Sequence, residues 1–429
     1  MAAAPLGGSG ASSKKLVGHD NFKNHNPRSD RFTMLDFDHV EFWTSDATNS
    51  ARRFSSGFGM QMVAASDINN GNLKYASYCM QSDEIRFVFT APYWTEAPNP
   101  PVEHIETFPH YDKDEAHRFI GKHGLAGRAI GIKVTDATDA YNKCLANGGV
   151  GVLAPLHLKD DNGEVVISEV TMYTDVVVRF VQGRDTYKGA FLPGYKDSGR
   201  PSVSYGLNRV DHVVSNCPEL LAITEHLEKM LGLHEFAEFV AADIGTLDSG
   251  LNSMVMANND ETVLFPVNEP TFGTRRKSQI QSFIEHHQGP GIQHIALQTK
   301  DIIQTIKAMS AQTNFGGVEF QASPGATYYN EHVPKKMQGM VSQELIDECA
   351  KFNILIDRDS EGGLLQIFTK PLLDRPTLFI EVIQRLGCPL PDGRQKPACG
   401  GFGKGNFGAL FKSIEDAEKI RDGEEVVNA

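Results

Sequence analysis

The chain has 429 residues, 40% of them hydrophobic and 22% charged, with a formal net charge of −13. That length allows two or three domains with a substantial core. The acidic balance argues against nucleic acid and anionic membrane surfaces as main partners, because both reward basic patches. No apolar run is long enough to span a bilayer.

Residues 1–30 open with "MAAAPLGGSGASSKKLVGH", which has no acid, no Arg and no apolar secretory core. They are expected to form a flexible tail on a cytoplasmic protein, with a plastid address as the second reading. The six cysteines are scattered and include no C-x-x-C pair. No disulfide framework or zinc ribbon is expected, and a reducing compartment suits the chain.

From residue 31 the chain repeats itself. "FDHVEFW" (37–43) reads as a strand, and the helix after it ends at "FGMQMV" (58–63), a glycine turn into the next strand. "GRAIGIKVTDATDAYNKCLANGG" (127–149) reads as an alternating strand, an Asp at a helix start and an amphipathic helix. "VVISEVTMY" (165–173) and "VVVRFVQGR" (176–184) read as a hairpin. "RDTYKGAFLPGYKDSGRPSVSYG" (184–206) has the composition of a linker. The pattern then recurs in "VDHVVSN" (210–216), "LGLHEF" (231–236), "IQHIALQTKDIIQTIKAMSAQ" (292–312), "LLQIFTK" (364–370) and "LFIEVIQRL" (378–386). Four modules result, each a strand, a helix and several strands, grouped in halves at 31–183 and 207–429. The fold class is α+β, mainly antiparallel.

The last of these strands is apolar on both faces except for Glu381. A buried carboxylate needs a compensating cation or donors. The repeat serves as an internal control. The second half carries His212, His294 and Glu381 where the first carries His39, Ala129 and Arg179. Two imidazoles and a carboxylate from three strands form a facial triad, the ligand set of non-haem Fe(II) sites with open positions. Any one of these histidines alone would more often be a hydrogen-bonded core residue. The combination, in one half only, points to a metal, and His39 reads as structural. His110 and His117 fall in a charged helical stretch, His286 and His287 at a helix end, and His332 in a polar loop; none has comparable support.

At these residues the chain resembles the plant-type 4-hydroxyphenylpyruvate dioxygenases of the vicinal oxygen chelate superfamily. The resemblance covers all but the N-terminal tail. It rests on "LNRVDHVV" (207–214), "LNSMVMAN" (251–258), "FPVNEP" (265–270), "RRKSQIQSF" (275–283), "GPGIQHIAL" (289–297), "EGGLLQIFTKP" (361–371), "FIEVIQR" (379–385) and "GGFGKGNFGALFKSIE" (400–415). It implies four βαβββ modules in two open, barrel-like sheets, the first without metal and the second catalytic. It implies Fe(II) on His212, His294 and Glu381. Gln293, Gln366 and Phe368 would surround the iron. Ser253, Asn268, Gln279, Phe379, Phe402, Asn406 and Phe407 would shape the substrate pocket, with Phe368 and Phe407 flanking a bound ring. The implied reaction turns a small 2-oxo acid, 4-hydroxyphenylpyruvate, and O₂ into homogentisate and CO₂, in tyrosine catabolism and plastoquinone and tocopherol supply.

The residues themselves fit these roles. Gln366 and Phe368 are two apart, so a strand turns them to one face. Asn406 can cap a helix whose Phe407, Leu410, Phe411 and Ile414 make one apolar face, the design of a lid. A homodimer through the metal-free half is expected. Two alternatives are weighed: a hydroxymandelate synthase acting on the same substrate, and a non-catalytic binding protein of the same fold.

Overall fold

The computed structural model describes residues 14–94, 111–244, 250–391 and 393–421. The first half forms strands β1 (Met34–Trp43), β2 (Gln61–Ser66), β3 (Tyr75–Ser82), β4 (Ile85–Pro92), β5 (Ala126–Val134), β6 (Gly151–Asp160), β7 (Gly163–Tyr173), β8 (Val176–Gln182) and β9 (Lys196–Asp197). The second forms β10 (Leu207–Asn216), β11 (His234–Phe239), β12 (Leu251–Ala257), β13 (Leu264–Pro270), β14 (Gly291–Thr299), β15 (Leu355–Arg358), β16 (Gly363–Phe368) and β17 (Phe379–Leu386).

The two sheets share one topology. Read in opposite senses, β2-β3-β4-β1-β5-β8-β7-β6 matches β11-β12-β13-β10-β14-β17-β16-β15, with β9 added beside β2. In each sheet the central strand pair is antiparallel (β1–β5 and β10–β14). It is flanked by parallel pairs (β1–β4, β5–β8; β10–β13, β14–β17). This is the expected α+β vicinal oxygen chelate plan of four βαβββ modules in two curled half-barrels.

Local chemistry sets the helix ends. Asp136 and Asp301, the acids expected at helix starts, accept backbone N–H groups as N-caps. The helices Ala47–Phe58 and Leu220–Leu231 stop at Gly59 (φ 63°) and Gly232 (φ 83°). Only glycine takes that left-handed turn without strain. A Cβ on Gly232 would also meet the Ser29 carbonyl oxygen at 2.2 Å.

Ser29 reaches that helix end because the N-terminal segment is not loose throughout. The expectation of a flexible tail over 1–30 is corrected for its described part, 14–30, which is fastened to the second half. Lys14 pairs with Glu228 and Glu235 at 2.5 and 2.7 Å. The Val17 and Gly18 amides donate to Glu238 at 2.5 and 2.6 Å, and His19 stacks on Phe239. Residues 1–13 lie outside the described residues.

The stretch 184–206 is also more than a linker. Phe191, Leu192 and Tyr195 are buried in the first-half core, and β9 pairs with β2. Two further expectations change. Cys388 and Cys399 form a disulfide, which sequence spacing could not reveal because the turn between them sets their approach. His332 lies in a π-helical turn, Tyr328–His332, not a loop. One large apolar cluster runs through both halves, and Phe37 meets Phe265 edge-on at 5.6 Å across it.

Candidate metal centre and pocket

The register of the second sheet brings the three proposed ligands together. His212 lies opposite Ala296 on β14, and Ala296 opposite Glu381 on β17. His294 enters from β14 itself. Glu381 Oε2 is 3.2 Å from His212 Nε2 and 3.3 Å from His294 Nε2. All three ligand atoms lie within 4.8 Å of one another. Among the described residues this is the one group of three or more His, Cys, Asp or Glu side chains so placed.

The donor set fits a divalent transition metal. Neighbouring ligands about 2.1 Å from an ion sit about 3 Å apart on one face of an octahedron. Both Nδ1 atoms are already engaged, His212 with Asp211 at 2.7 Å and His294 with Gln293 Oε1 at 2.9 Å. Nδ1–H donation to these partners turns each Nε2 toward Glu381, where it would supply the lone pair to an ion.

Asp211 and Gln293 precede the histidines they orient, so regular strands would point them to opposite faces. Two β-bulges change that. The pairing skips Asp211 between Val210 and His212, and skips Gln293 between His294 and Ile292. A bulge re-aims the extra side chain, here onto the neighbouring imidazole.

Electrostatics separates the two imidazoles. Burial would lower the pKa of His212, but Asp211 and Glu381 outweigh it and raise it to about 9. Burial lowers that of His294, whose second partner is a neutral amide. Burial would raise the Glu381 pKa, yet the two histidines bring it below the usual value. The centre thus favours an ionised carboxylate beside positive charge, which a protonated His212 carries where no ion is bound.

All thirteen residues singled out in the sequence line one pocket of about 610 Å³, its open mouth included. His294 stacks on Phe379 at 4.8 Å, with Phe368 edge-on at 6.2 Å; Phe402 stands edge-on to His212 at 5.4 Å. Asn268 donates to Asn216 at 3.1 Å. Ser253 and Gln279 line the same wall. The Asn406 amide, expected as a helix cap, donates to Gln366 Oε1 at 3.3 Å and accepts from Tyr328 Oη at 2.8 Å. Phe407 opens the final helix, Phe407–Arg421, and meets Phe239 at 5.8 Å.

The pocket also includes residues not foreseen as site residues. Leu251 and Val255 flank Ser253, Pro266 precedes Asn268, and Val214 follows His212, each at a spacing of two. Strand alternation from the residues already chosen would have found them. Leu410 and Phe411 belong to the apolar face of the final helix. Phe239, at a strand end, gave no such signal. His286, His287, His117 and His332 stand apart from the three-ligand group; His110 is outside the described residues.

The first half places a guanidinium where the second half places Glu381. Arg179, in register with Glu381, donates to His39 Nε2 at 3.0 Å, to Glu41 at 2.6 Å and to Glu169 at 2.6 Å. A fixed guanidinium is the cation there. Arg179→Met would leave two buried carboxylates without it and should cost about 3–5 kcal/mol of stability. Urea unfolding of the full chain checks this; a loss within the ~1 kcal/mol of a surface pair would refute it.

A model of the Glyoxalase/Bleomycin resistance protein/Dioxygenase superfamily matches residues 209–334. A 4-hydroxyphenylpyruvate dioxygenase of Plectranthus scutellarioides is 50% identical over 95% of this chain and 94% of its own. That of Arabidopsis thaliana is 46% identical, over 96% and 94%. Among solved structures, a triple mutant of 4-hydroxymandelate synthase from Streptomyces coelicolor superposes with a TM-score of 0.70 at 22% identity, over 90% of this chain and 99% of its own. At that identity the likeness concerns the fold alone.

Proposed function

The chain belongs to the 4-hydroxyphenylpyruvate dioxygenase family, and from that premise we propose that its second half binds Fe(II) on His212, His294 and Glu381 and converts 4-hydroxyphenylpyruvate and O₂ to homogentisate and CO₂. The observation that carries this reading is the His212–His294–Glu381 group at the base of a pocket walled by Phe368, Phe379, Phe402 and Phe407. When bound, Fe(II) supplies a template for the 2-oxo acid and the redox capacity to use O₂. Atoms balance without a further oxidant: the two oxygen atoms enter the new carboxylate and the ring, and the old carboxylate leaves as CO₂.

The remaining work falls to this chain's residues. Asp211 and Gln293 hold the imidazole tautomers. Phe368 and Phe407 would flank an aromatic ring, with Phe379, stacked on His294, as a further wall. Ser253, Asn268 and Gln279, on the wall formed by β12, β13 and the helix Gln279–His287, offer polar groups to a ring hydroxyl or a carboxylate. Gln366, steadied by Asn406, completes the polar set. The final helix covers the apolar side and keeps water away, which strengthens every polar contact inside.

Among the described residues no helix is long and apolar enough to cross a membrane. From the composition of the N-terminal tail we place the protein in the cytoplasm, with a plastid as the second reading, and we read the metal-free first half as the surface for a second copy of the chain. Incubation of the iron-loaded protein with 4-hydroxyphenylpyruvate under air tests the activity. Homogentisate at one equivalent per O₂ is expected; 4-hydroxymandelate as the main product, or no turnover with bound iron, would overturn the proposal.

A further inference from the structure

Arg385 lies four residues after Glu381 on β17, so strand alternation puts both on one face. It is 4% exposed, and all three of its guanidinium nitrogens donate hydrogen bonds. Two nitrogens grip Asp211 at 2.8 and 2.6 Å, and the third donates to the carbonyls of Cys399 and Gly401 at 2.6 and 2.8 Å. Asp211 in turn holds His212 Nδ1. The segment that supplies the two carbonyls continues into Phe402, whose ring stands edge-on to His212 and 5.9 Å from the Arg385 guanidinium carbon. Gly403 follows, so close to Gln366 that a Cβ would meet Oε1 at 2.1 Å. One side chain therefore joins an imidazole orienter on β10 to the segment that closes the pocket.

The first half repeats this arrangement. Arg184 grips Asp38 at 2.7 and 2.9 Å and donates to the Phe191 carbonyl. Asp38 holds His39 Nδ1 at 2.5 Å. Phe191 stands edge-on to His39 at 5.2 Å, and the Arg184 guanidinium carbon is 5.0 Å from its ring. The same four residue types thus form a clamp in a half where Arg179 stands in place of an ion. That half isolates the clamp's purely structural contribution.

Resting on the metal reading above, we propose that Arg385 is a positioning residue: through Asp211 it fixes the His212 ring for metal binding, and through Cys399 and Gly401 it couples that orientation to closure of the C-terminal segment over the pocket. Lysine in its place keeps the charge but loses the planar fork, and cannot grip a carboxylate and two carbonyls together.

Three proteins, wild type, Arg385→Lys and Arg184→Lys, are compared as full chains. Each is titrated with Co(II) in its metal-free form, the visible absorption band reporting ligand geometry. Limited proteolysis of the metal-free proteins reports whether the segment around 399–403 is seated. Arg385→Lys is expected to weaken Co(II) binding about 10–100-fold, the range for loss of an outer-shell partner, with a shifted band and faster cutting near that segment. Arg184→Lys is expected to lower thermal stability with affinity, band and cutting as in the wild type. Asp211→Asn, nearly isosteric, should give the same loss as Arg385→Lys and decides the matter if that variant does not fold. Wild-type affinity and band in Arg385→Lys, or an equal loss in Arg184→Lys, would overturn the positioning role alone. A wild-type protein that binds no Co(II) would overturn the metal reading and this inference with it.

Discussion

Glu381→Gln should abolish turnover and weaken metal binding by well over the about 10–100-fold that loss of an outer-shell partner costs. The change keeps the size of the side chain and removes its charge. Glu381 Oε2 lies within 3.3 Å of both Nε2 atoms, so it is the group that would turn two neutral donors into an anionic three-ligand face. An amide oxygen in the same place is a weaker donor and offsets no charge on the ion. His39→Ala is the matched control. His39 occupies the equivalent strand position and bonds Arg179, so its loss should lower stability and leave metal content at the wild-type level. Elemental analysis of the purified proteins and O₂ uptake with 4-hydroxyphenylpyruvate provide the comparison. Equal metal loss in the two variants would show that the centre is not confined to the second half.

A chain ending at Asn406 should keep its metal and lose turnover by about 100-fold or more, equivalent to roughly 2.7 kcal/mol of transition-state stabilisation. The argument rests on which elements hold what. His212, His294 and Glu381 stand on β10, β14 and β17, whose ladders do not involve the final helix. Phe407, Leu410 and Phe411 stand on that helix and form one side of the pocket. Phe411 is 1% exposed and belongs to an apolar cluster with Phe239, Leu251 and Val255. Without the helix the ring site opens to water and the polar contacts inside weaken. Phe407→Ala should give a milder form of the same effect, with KM for 4-hydroxyphenylpyruvate raised more than kcat is lowered. Loss of metal in the truncated chain would instead make the helix part of the binding framework. Unchanged turnover would remove its role as a cover.

The two experiments and the Arg385 test separate three levels of one site. In the proposed reading Glu381 would donate directly to the metal, Arg385 would act through Asp211, and the final helix would act on the surroundings of the substrate. Their expected signatures differ: metal and turnover lost together, metal affinity lowered together with a loosened segment, and turnover lost with metal retained.

The sequence by itself determined the repeat, and through it the fold class and the candidate His212–His294–Glu381 group. Backbone periodicity and glycine-terminated helices recur in both halves. The change from Glu381 to Arg179 at one strand position is visible without coordinates. It was legible because a charge in an apolar strand needs a counter-charge wherever the strand is buried. What only the tertiary structure decided depends on contacts distant in the chain or on local backbone irregularity. The bulges that turn Asp211 and Gln293 onto their histidines follow from strand pairing, which single-strand alternation cannot show. The Arg385 clamp joins residues 174 apart. The docking of residues 14–30 on the second half, and of Phe191 and Tyr195 into the first, needed surfaces assembled by the fold. A sequence records which side chains could bind a metal; the packed sheet decides which atoms face one another and what holds them there.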